Sequence, residues 1–360
     1  MASINPQYLA ILSLWLAVLA LAYIVVRELG IAGVRRRPAA VALLVMALAL
    51  LPAGGAMKIA TPYRKRLIAI LTRSRSAAVP PSTACGIFPK NNIWNVPIAG
   101  APVDPNSDAY VASIGTDLPL HGDFSATAGI PYTVVSSGHP QADIEFARGA
   151  ESDPGPYIVP DDAQVEDGSD AHVLVADMAG CRLYELYGAH RTAPQSWTAS
   201  SGAIFDLRGN GLRPAGWTSA DAAGLPVFPG LLRYDEVAAG AIRHALRFTA
   251  RVTRRAYVWP ARHQASDHNE SRLPPMGQRF RLRRSFDESG FSPQARVVVA
   301  ALKEYGMMLA DNGGSWFLTG APDSRWSSSL RRELARISGS SFEAVDVSSL
   351  MLDANSAAAR

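Results

Sequence analysis

Two long apolar runs occupy the first sixty residues of the chain, and shorter runs in which apolar and polar residues alternate fill most of the remaining three hundred. Residues 8–26 carry no charge over nineteen positions, close to the length of about 20 that a helix needs to cross a bilayer core. Residues 38–56 come after three arginines at 35–37 and end in small residues, a pattern typical of a spanning helix and also of a cleaved secretory signal. Both interpretations place the rest of the chain outside the cytoplasm.

Residues 58–84 connect this apolar head to the remainder of the chain. Their first part is basic and suits the surface of an anionic leaflet, whereas residues 76–84 have the Pro, Ser and Ala content of a linker. No further linker or repeat is present. The sequence therefore predicts one extracytoplasmic domain over residues 85–352 and a flexible tail over residues 353–360.

Short strands dominate the predicted domain. Ten runs are rich in β-branched or aromatic residues and are bounded by Gly, Pro, Asp or Asn, as strands commonly are; they cover residues 131–136, 143–148, 172–177, 181–187, 203–207, 242–249, 256–259, 278–283, 307–310 and 316–318. Helices are predicted at 292–305, which begins with Ser-Pro and stops at a glycine, and at 325–337. The pattern favours a β-rich α+β domain, a β-sandwich or jelly roll with two or three peripheral helices.

Charge and motif content narrow the possible functions. The formal net charge is +4, but residues 1–75 hold ten Lys and Arg against one acid, and the remaining chain has 25 basic and 30 acidic residues. The domain therefore has no positive excess that would favour nucleic acid binding. No phosphate loop, dinucleotide fingerprint, hydrolase elbow or zinc-protease motif is present, so no cofactor is predicted.

The two cysteines support export. Cys85 opens the domain and Cys181 precedes an alternating run. Neither has the spacing of a metal ligand, which argues against a zinc site. In an oxidising compartment the pair would form a disulfide that ties the N-terminal arm to the sheet; two unrelated buried thiols are the alternative.

Three polar residues interrupt apolar strands and are the predicted catalytic group. Alternation places His244 with the apolar side of the run 242–248, where it is either a core residue or a proton carrier. Glu236, just before a short turn, is its natural partner. Asp206 lies inside another apolar strand, where a carboxylate is costly to bury unless it is paired or functional.

A second set of residues is predicted to bind substrate. Trp217 and Trp259 offer flat faces that stack on pyranose rings, although tryptophans of β-sandwiches are often core residues. Arg213 flanks them, Asp153 lies in a loop with two prolines, and His263 ends the run 258–263. Two carboxylates beside such a platform could cleave a glycosidic bond.

These segments resemble an uncharacterised group of secreted or membrane-anchored bacterial β-rich proteins. The similar segments are residues 87–95, 151–157, 213–226, 230–246, 258–263 and 305–313. The resemblance implies export and a single β-rich domain, and it supplies no reaction.

The leading expectation is a membrane-tethered domain that acts on or binds cell-envelope or environmental polysaccharide, as a hydrolase or lyase. A non-catalytic module that binds glycan or protein is the rival. A metal-dependent phosphoesterase that uses Asp235, Glu236, His244 and His263 is the third possibility.

Overall fold

A computed structural model describes residues 85–136 and 138–360 of the chain. The predicted membrane segments at 8–26 and 38–56 and the basic segment at 58–84 lie outside the described residues. Within the described part, none of the helices has the length and apolar character needed to cross a membrane.

Thirteen strands are described, which confirms the β-rich prediction. They are β1 (His121–Asp123), β2 (Tyr132–Val135), β3 (Asp143–Phe146), β4 (Val173–Asp177), β5 (Arg182–Tyr187), β6 (His190–Ala193), β7 (Ser196–Ala199), β8 (Ser201–Asp206), β9 (Leu246–Ala250), β10 (Arg279–Leu282), β11 (Met307–Asn312), β12 (Phe317–Thr319) and β13 (Phe342–Val345). The helices are α1 (Ser107–Ile114), α2 (Tyr234–Ala238), α3 (Pro293–Glu304) and α4 (Ser328–Leu334), with four short 3-10 turns between elements.

The described strands form three sheets, each of which mixes parallel and antiparallel pairs. The largest has the order β1-β12-β9-β11-β10-β13, the second has β2-β4-β5-β8 and the third has β3-β7-β6. In the largest sheet β9 lies parallel to β11 and antiparallel to β12, so the sheet is built from strands distant in sequence.

Helix α3 confirms the predicted helix at 292–305. Its N-cap Ser292 accepts a hydrogen bond from the backbone of Ala295, and a proline occupies the first turn, where its missing N–H costs nothing. The helix gives way to β11 at Gly306, whose φ is +65° and where a Cβ would lie 2.2 Å from a backbone oxygen. The predicted helix at 325–337 is shorter in the structure, because Ser327 caps it and α4 ends at Leu334.

Several predicted boundaries differ from the structure. The run 256–259 is not a strand: Tyr257 forms only an isolated bridge with Met276, and Pro260 comes directly after the run. Residues 242–245 precede β9 rather than belong to it, and residues 234–238 form helix α2 instead of a strand and turn.

Residues 353–360 are not a flexible tail. The backbone nitrogen of Ile93 donates to Ala357, that of Ala359 donates to Asn91, and Ala357 and Ala359 are each 3% exposed. The alanines of this segment are small enough to pack against Ile93. A prediction from composition missed this contact because the partner lies more than 260 residues away.

The predicted disulfide between Cys85 and Cys181 is confirmed. Both cysteines are buried, and they pack with apolar residues of the four-stranded sheet such as Leu183. The bond therefore fastens the start of the described chain to the residue that precedes β5.

Candidate functional site

Glu236 and His244, two of the predicted catalytic residues, contact each other. The Glu236 carboxylate lies 3.1 Å from Nε2 of His244 and 2.6 Å from Nη2 of Arg233, and both partners are buried. Burial alone would raise the pKa of Glu236, but the charges of Arg233 and His244 outweigh it and lower the pKa to about 2. A carboxylate held ionised in this way is a poor proton donor near neutral pH. The contacts among Arg233, Glu236 and His244 join helix α2 to the residues that precede β9.

Asp206 does not join that pair. It ends β8 with a side chain that is 39% exposed, and its carboxylate contacts Arg208 and Arg182. A hydrogen bond from the backbone of Arg208 lowers the pKa of Asp206. The predicted trio of Glu236, His244 and Asp206 is therefore wrong as a contact group, because the apolar strand ends at Asp206 and leaves this residue at the surface.

Arg213 and Asp153, two of the predicted substrate-binding residues, form an ion pair in which Arg213 is buried and the Asp153 side chain is 28% exposed. Nη1 of Arg213 contacts the Asp153 carboxylate, and the other nitrogens of Arg213 donate to the carbonyls of Thr218 and Glu151. The backbone of Ile204 also donates to Asp153. These bonds use all three nitrogens of the Arg213 guanidinium and fasten the loop 151–157 to β8.

The two tryptophans lie in different surroundings. The Trp217 ring is half-buried and stacks under the guanidinium of Arg213, 5.5 Å from its centroid. Trp259 donates from Nε1 to the carbonyl of Ser356 at 2.7 Å and packs against the C-terminal segment. Trp217 is thus partly exposed beside Arg213, whereas Trp259 holds the chain end in place.

Of the proposed metal cluster, only Glu236 and His244 contact each other. Asp235 forms an ion pair with Arg325 at 2.8 Å, Glu236 contacts Arg233 and His244, and His263 bonds to a carbonyl. Over residues 85–136 and 138–360, no group of three or more His, Cys, Asp or Glu side chains has the arrangement of a metal site.

A buried polar group that the sequence pattern does not predict crosses the largest sheet. We call it the Arg247 network; it comprises Asp221, Arg247, Asp311 and Thr319. Arg247 bonds through Nε and Nη2 to the fully buried Asp221 carboxylate at 3.1 and 2.9 Å, and through Nη1 to Thr319 at 2.7 Å. Asp311 lies 4.0 Å from the same Nη2, and its side chain is 27% exposed. Asp311 is thus the solvent-facing end of a network that is otherwise sealed.

A bulge in β11 places Asp311 in this network. Met308 pairs with Arg247 and Leu309 with Phe248, but Asp311 rather than Ala310 pairs with Thr249. One residue is therefore extra, and the bulge moves Asp311 onto the face that carries Arg247. Without it, alternation would turn the carboxylate toward the apolar core that contains Phe248.

The pKa of Asp311 is raised by its surroundings. Burial and the neighbouring carboxylate of Asp221 raise its pKa to about 7, against the opposing charge of Arg247. A carboxyl group with a pKa near 7 can both hold and release a proton near neutral pH. Perturbed pKa values in partly exposed groups of this kind are typical of functional sites.

The backbone at 221–223 links the Arg247 network to His263. Ala223 donates to the carbonyl of Ala310, next to Asp311, and accepts from the backbone nitrogens of Arg262 and His263. The His263 ring donates from Nδ1 to the carbonyl of Ala222 at 2.8 Å. Since a carbonyl can only accept, Nδ1 carries the proton in the neutral ring, and Nε2 then presents a lone pair. His263 is thus linked through the backbone of residues 222 and 223 to the segment that carries Asp221.

Two further acids lie behind the network. Glu166 contacts Nδ1 of the buried His172, whose Nε2 lies 2.9 Å from the carbonyl of Ala220. Glu185 is fully buried and accepts backbone hydrogen bonds from Val227 and Phe228. These contacts tie the four-stranded sheet to both sides of the segment that carries Asp221.

Burial, with a smaller contribution from Asp221, raises the pKa of Glu185 to about 7. The folded state therefore holds a proton on this residue that the unfolded chain, with its value near 4.5, gives up. Stability must then fall as pH rises between those two values. For Glu185 alone the loss is roughly 3 kcal/mol, since one pKa unit corresponds to about 1.4 kcal/mol.

We expect the free energy of unfolding, measured with urea, to decrease from pH 5 to pH 8. The variant Glu185→Gln, which cannot ionise, should show a shallower decrease over the same range. Asp206→Asn is the control, because this carboxylate contacts only arginines, its pKa is lowered from the ordinary value, and its loss should leave the slope between pH 5 and 8 unchanged. Equal slopes in the parent and Glu185→Gln would contradict the assignment.

The sequence contains some signal for these residues. Asp221 and Asp311 both lie in segments that carry the family resemblance, and Glu185 interrupts the alternating strand β5. Alternation alone predicts Arg247 on an exposed strand face, because nothing local shows that Asp221 neutralises it.

No protein-family model, curated protein or solved structure matches this chain. The resemblance to secreted or membrane-anchored bacterial proteins stays a prediction.

Proposed function

We propose that the domain cleaves polysaccharide, as a hydrolase or lyase, with Asp311 as its proton-transfer residue. The observation that carries the proposal is the position of Asp311 at the exposed end of the buried Arg247 network, with a pKa of about 7. This assignment replaces Glu236 and Asp206, because the first is held ionised and the second lies in a separate exposed ion-pair group.

The proposed chemistry uses Asp311 together with three polar residues, His263, Asp221 and Arg247. Protonated Asp311 would donate to a glycosidic oxygen or, in a lyase, neutralise the sugar carboxylate beside the carbon that loses its proton. His263, with its lone pair on Nε2, would act as the base that activates water or takes that proton. Asp221 and Arg247 would hold the acid in place, and Trp217 would offer a stacking face.

The placement of Trp217 supports a sugar ligand. Gly216, its neighbour, donates from its backbone to the carbonyl of Arg262, which precedes His263. The half-buried indole and the His263 imidazole are thus held by adjoining stretches of backbone. A flat apolar face beside a polar, titratable group suits a pyranose, whose ring is apolar on its faces and hydroxylated at its rim.

The proposal also covers location and architecture. We place the domain outside the cytoplasm and attached to the membrane; support comes from the apolar runs 8–26 and 38–56 and from a disulfide of the kind that persists in oxidising compartments. We also propose that the sheets pack against each other as a β-sandwich.

The test is cleavage of a polysaccharide panel by the full-length chain, read as new reducing ends and as new unsaturation. On a substrate that is cleaved, Asp311→Asn should lower kcat by about 100-fold to 10,000-fold, as loss of a general acid typically does. Activity should also fall as pH rises above about 7, because Asp311 then loses its proton. Unsaturated products would assign a lyase, and reducing ends alone a hydrolase.

Asp206→Asn is the matched control, since it makes the same chemical change at an exposed aspartate outside the Arg247 network. We expect it to retain parental kcat. Parental activity in Asp311→Asn, or loss of activity in Asp206→Asn alone, would contradict the proposal.

A further inference from the structure

Strand β1 places two further residues on the sheet face that carries the Arg247 network. The register pairs Asp123 of β1 with Thr319 of β12, and Thr319 accepts a hydrogen bond from Arg247 at 2.7 Å. Paired residues share a face of a sheet, so Asp123 lies on the same face as Arg247. The opposite face, with Leu318 and Phe248, belongs to the apolar core.

Asp123 and Asp311 lie on opposite sides of Arg247. In the strand order β1-β12-β9-β11, β1 is two strands from β9 on one side and β11 is next to β9 on the other. Three strand spacings of about 4.8 Å separate β1 from β11, roughly 14 Å in all. A sugar polymer that crosses these strands can therefore present one unit to Asp123 and a different unit to Asp311.

The Asp123 carboxylate has no fixed partner. Its side chain is half-buried, and no ion pair or side-chain hydrogen bond engages it within the part of the chain that the structure describes. Burial raises the pKa of Asp123, and the charge of Glu166 adds to the rise, whereas the charges of His121 and Arg247 oppose it. A half-buried carboxylate that repels a neighbouring acid costs stability, and groups kept at such a cost are typical of functional sites.

His121 supplies a flat ring next to this carboxylate. It lies two residues before Asp123 in β1, and therefore on the same sheet face. Its exposed ring stacks on Phe317, with 4.0 Å between the ring centroids and 23° between the planes. Gly314 also lies against Phe317, where a Cβ would come within 2.4 Å of the ring. The His121 imidazole is thus supported by a packed phenylalanine and remains exposed beside Asp123.

We propose that His121 and Asp123 form a subsite for a neutral sugar unit, so that the domain acts on polysaccharides without carboxylate groups. This inference rests on the proposed function, because it assigns a substrate class to the Asp311 site. The apolar face of the sugar ring would stack on the His121 imidazole. Two neighbouring hydroxyls would donate to the two oxygens of Asp123, since a charged acceptor forms the stronger hydrogen bonds.

The charges at this end of the site disfavour acidic sugars. Arg247 is matched by Asp221, and His172 is matched by Glu166. Asp123 therefore adds a negative charge that no cation of the described residues contacts. A uronate would bring a further carboxylate to this point, and like charges repel. Because the proposed lyase reaction needs a sugar carboxylate, the subsite favours the hydrolase of the two proposed reactions.

The test is calorimetric titration of the full-length chain in detergent at pH 7.5, with Asp311→Asn present so that cleavage does not consume the ligand. The ligands are matched pairs in the gluco, manno and galacto series, each a neutral hexamer and its counterpart oxidised to the carboxylate at C6. In at least one series we expect the neutral hexamer to bind at least about tenfold more tightly than its oxidised counterpart.

Two substitutions examine the subsite itself. Asp123→Asn should weaken binding of the neutral hexamer about tenfold, through loss of a charged acceptor, and should strengthen binding of the oxidised one. His121→Ala should weaken neutral binding several-fold, whereas His121→Phe keeps an aromatic ring and should retain the affinity. Asp143→Asn removes one charge at an exposed position of the three-stranded sheet, and should leave both affinities unchanged.

Melting temperature separates this role from a structural one. Asp123→Asn removes no hydrogen bond or ion pair and relieves the repulsion from Glu166. The variant should therefore melt at the parental temperature or above it. A fall of more than a few degrees would show that the carboxylate stabilises the fold, and would contradict the assignment.

The inference is overturned if no neutral hexamer binds, if the oxidised hexamers bind as tightly in every series, or if Asp123→Asn keeps both affinities. Cleavage of a uronate polymer to unsaturated products by the parent would overturn it as well, while supporting Asp311 as the proton-transfer residue. Selective binding of a neutral hexamer without any cleavage by the parent would support the subsite and contradict the proposed catalysis.

Discussion

Replacing Arg247 with methionine is expected to destabilise the domain by about 3–5 kcal/mol, the usual cost of removing one partner from a buried ion pair. The fully buried Asp221 carboxylate would lose the guanidinium that holds both its oxygens, with Asp311 still nearby. The measurement is the free energy of unfolding in urea at pH 8. The decrease in the free energy of unfolding should be smaller at pH 5, because carboxyl groups take up protons more easily there.

The matched comparison is Arg247→Met/Asp221→Leu, in which both charges are absent. Buried ion pairs can often be replaced by apolar residues at little cost, so we expect the double variant to be more stable than Arg247→Met alone. A single variant that loses less than about 1 kcal/mol, or a double variant that loses the sum of both single changes, would show that the two residues are not coupled.

Reduction of the Cys85–Cys181 disulfide is the second large expected effect. The two cysteines are 96 residues apart, and in the chain-entropy model a cross-link over such a loop stabilises by about 4–5 kcal/mol. We expect a reducing agent to lower the urea midpoint of the parent accordingly. The variant Cys85→Ala/Cys181→Ala should unfold at the lower midpoint with or without the reductant.

If the reductant lowers the urea midpoint of Cys85→Ala/Cys181→Ala as much as that of the parent, the disulfide is not the cause of the shift. Parental stability in the double variant under oxidising conditions would contradict the prediction directly.

Local pattern explains which elements could be predicted from the sequence. Strands β4 and β5 have nearly every residue buried, and their apolar runs are unmistakable. Strand β6 has all four residues exposed and contains no such run, so its sequence does not predict it. Helix α3 has both of its boundary signals, whereas α2 is only five residues long and begins after an arginine that makes no cap contact.

The candidate site could be predicted less well, because its geometry depends on contacts between distant residues. Arg247 and Asp221 are 26 positions apart and meet only when the segment before Val227 covers the largest sheet. The position of Asp311 depends on one extra residue in β11, which only the pairing with β9 reveals. The contact between Glu236 and His244 is predicted correctly, since they are only eight positions apart and a short connection brings them together.

The C-terminal segment has a consequence for the timing of folding. Residues 354–357 accept hydrogen bonds from Arg262, Trp259 and Ile93, and the segment ends against Asn91. These contacts cannot form until residue 359 has left the ribosome, long after the residues around Ile93 have emerged. Strand β1 likewise waits for β12, nearly two hundred residues later. The chain therefore spends most of its synthesis without the contacts that join its two ends, and the N-terminal strand stays unpaired until the last part of the domain has emerged.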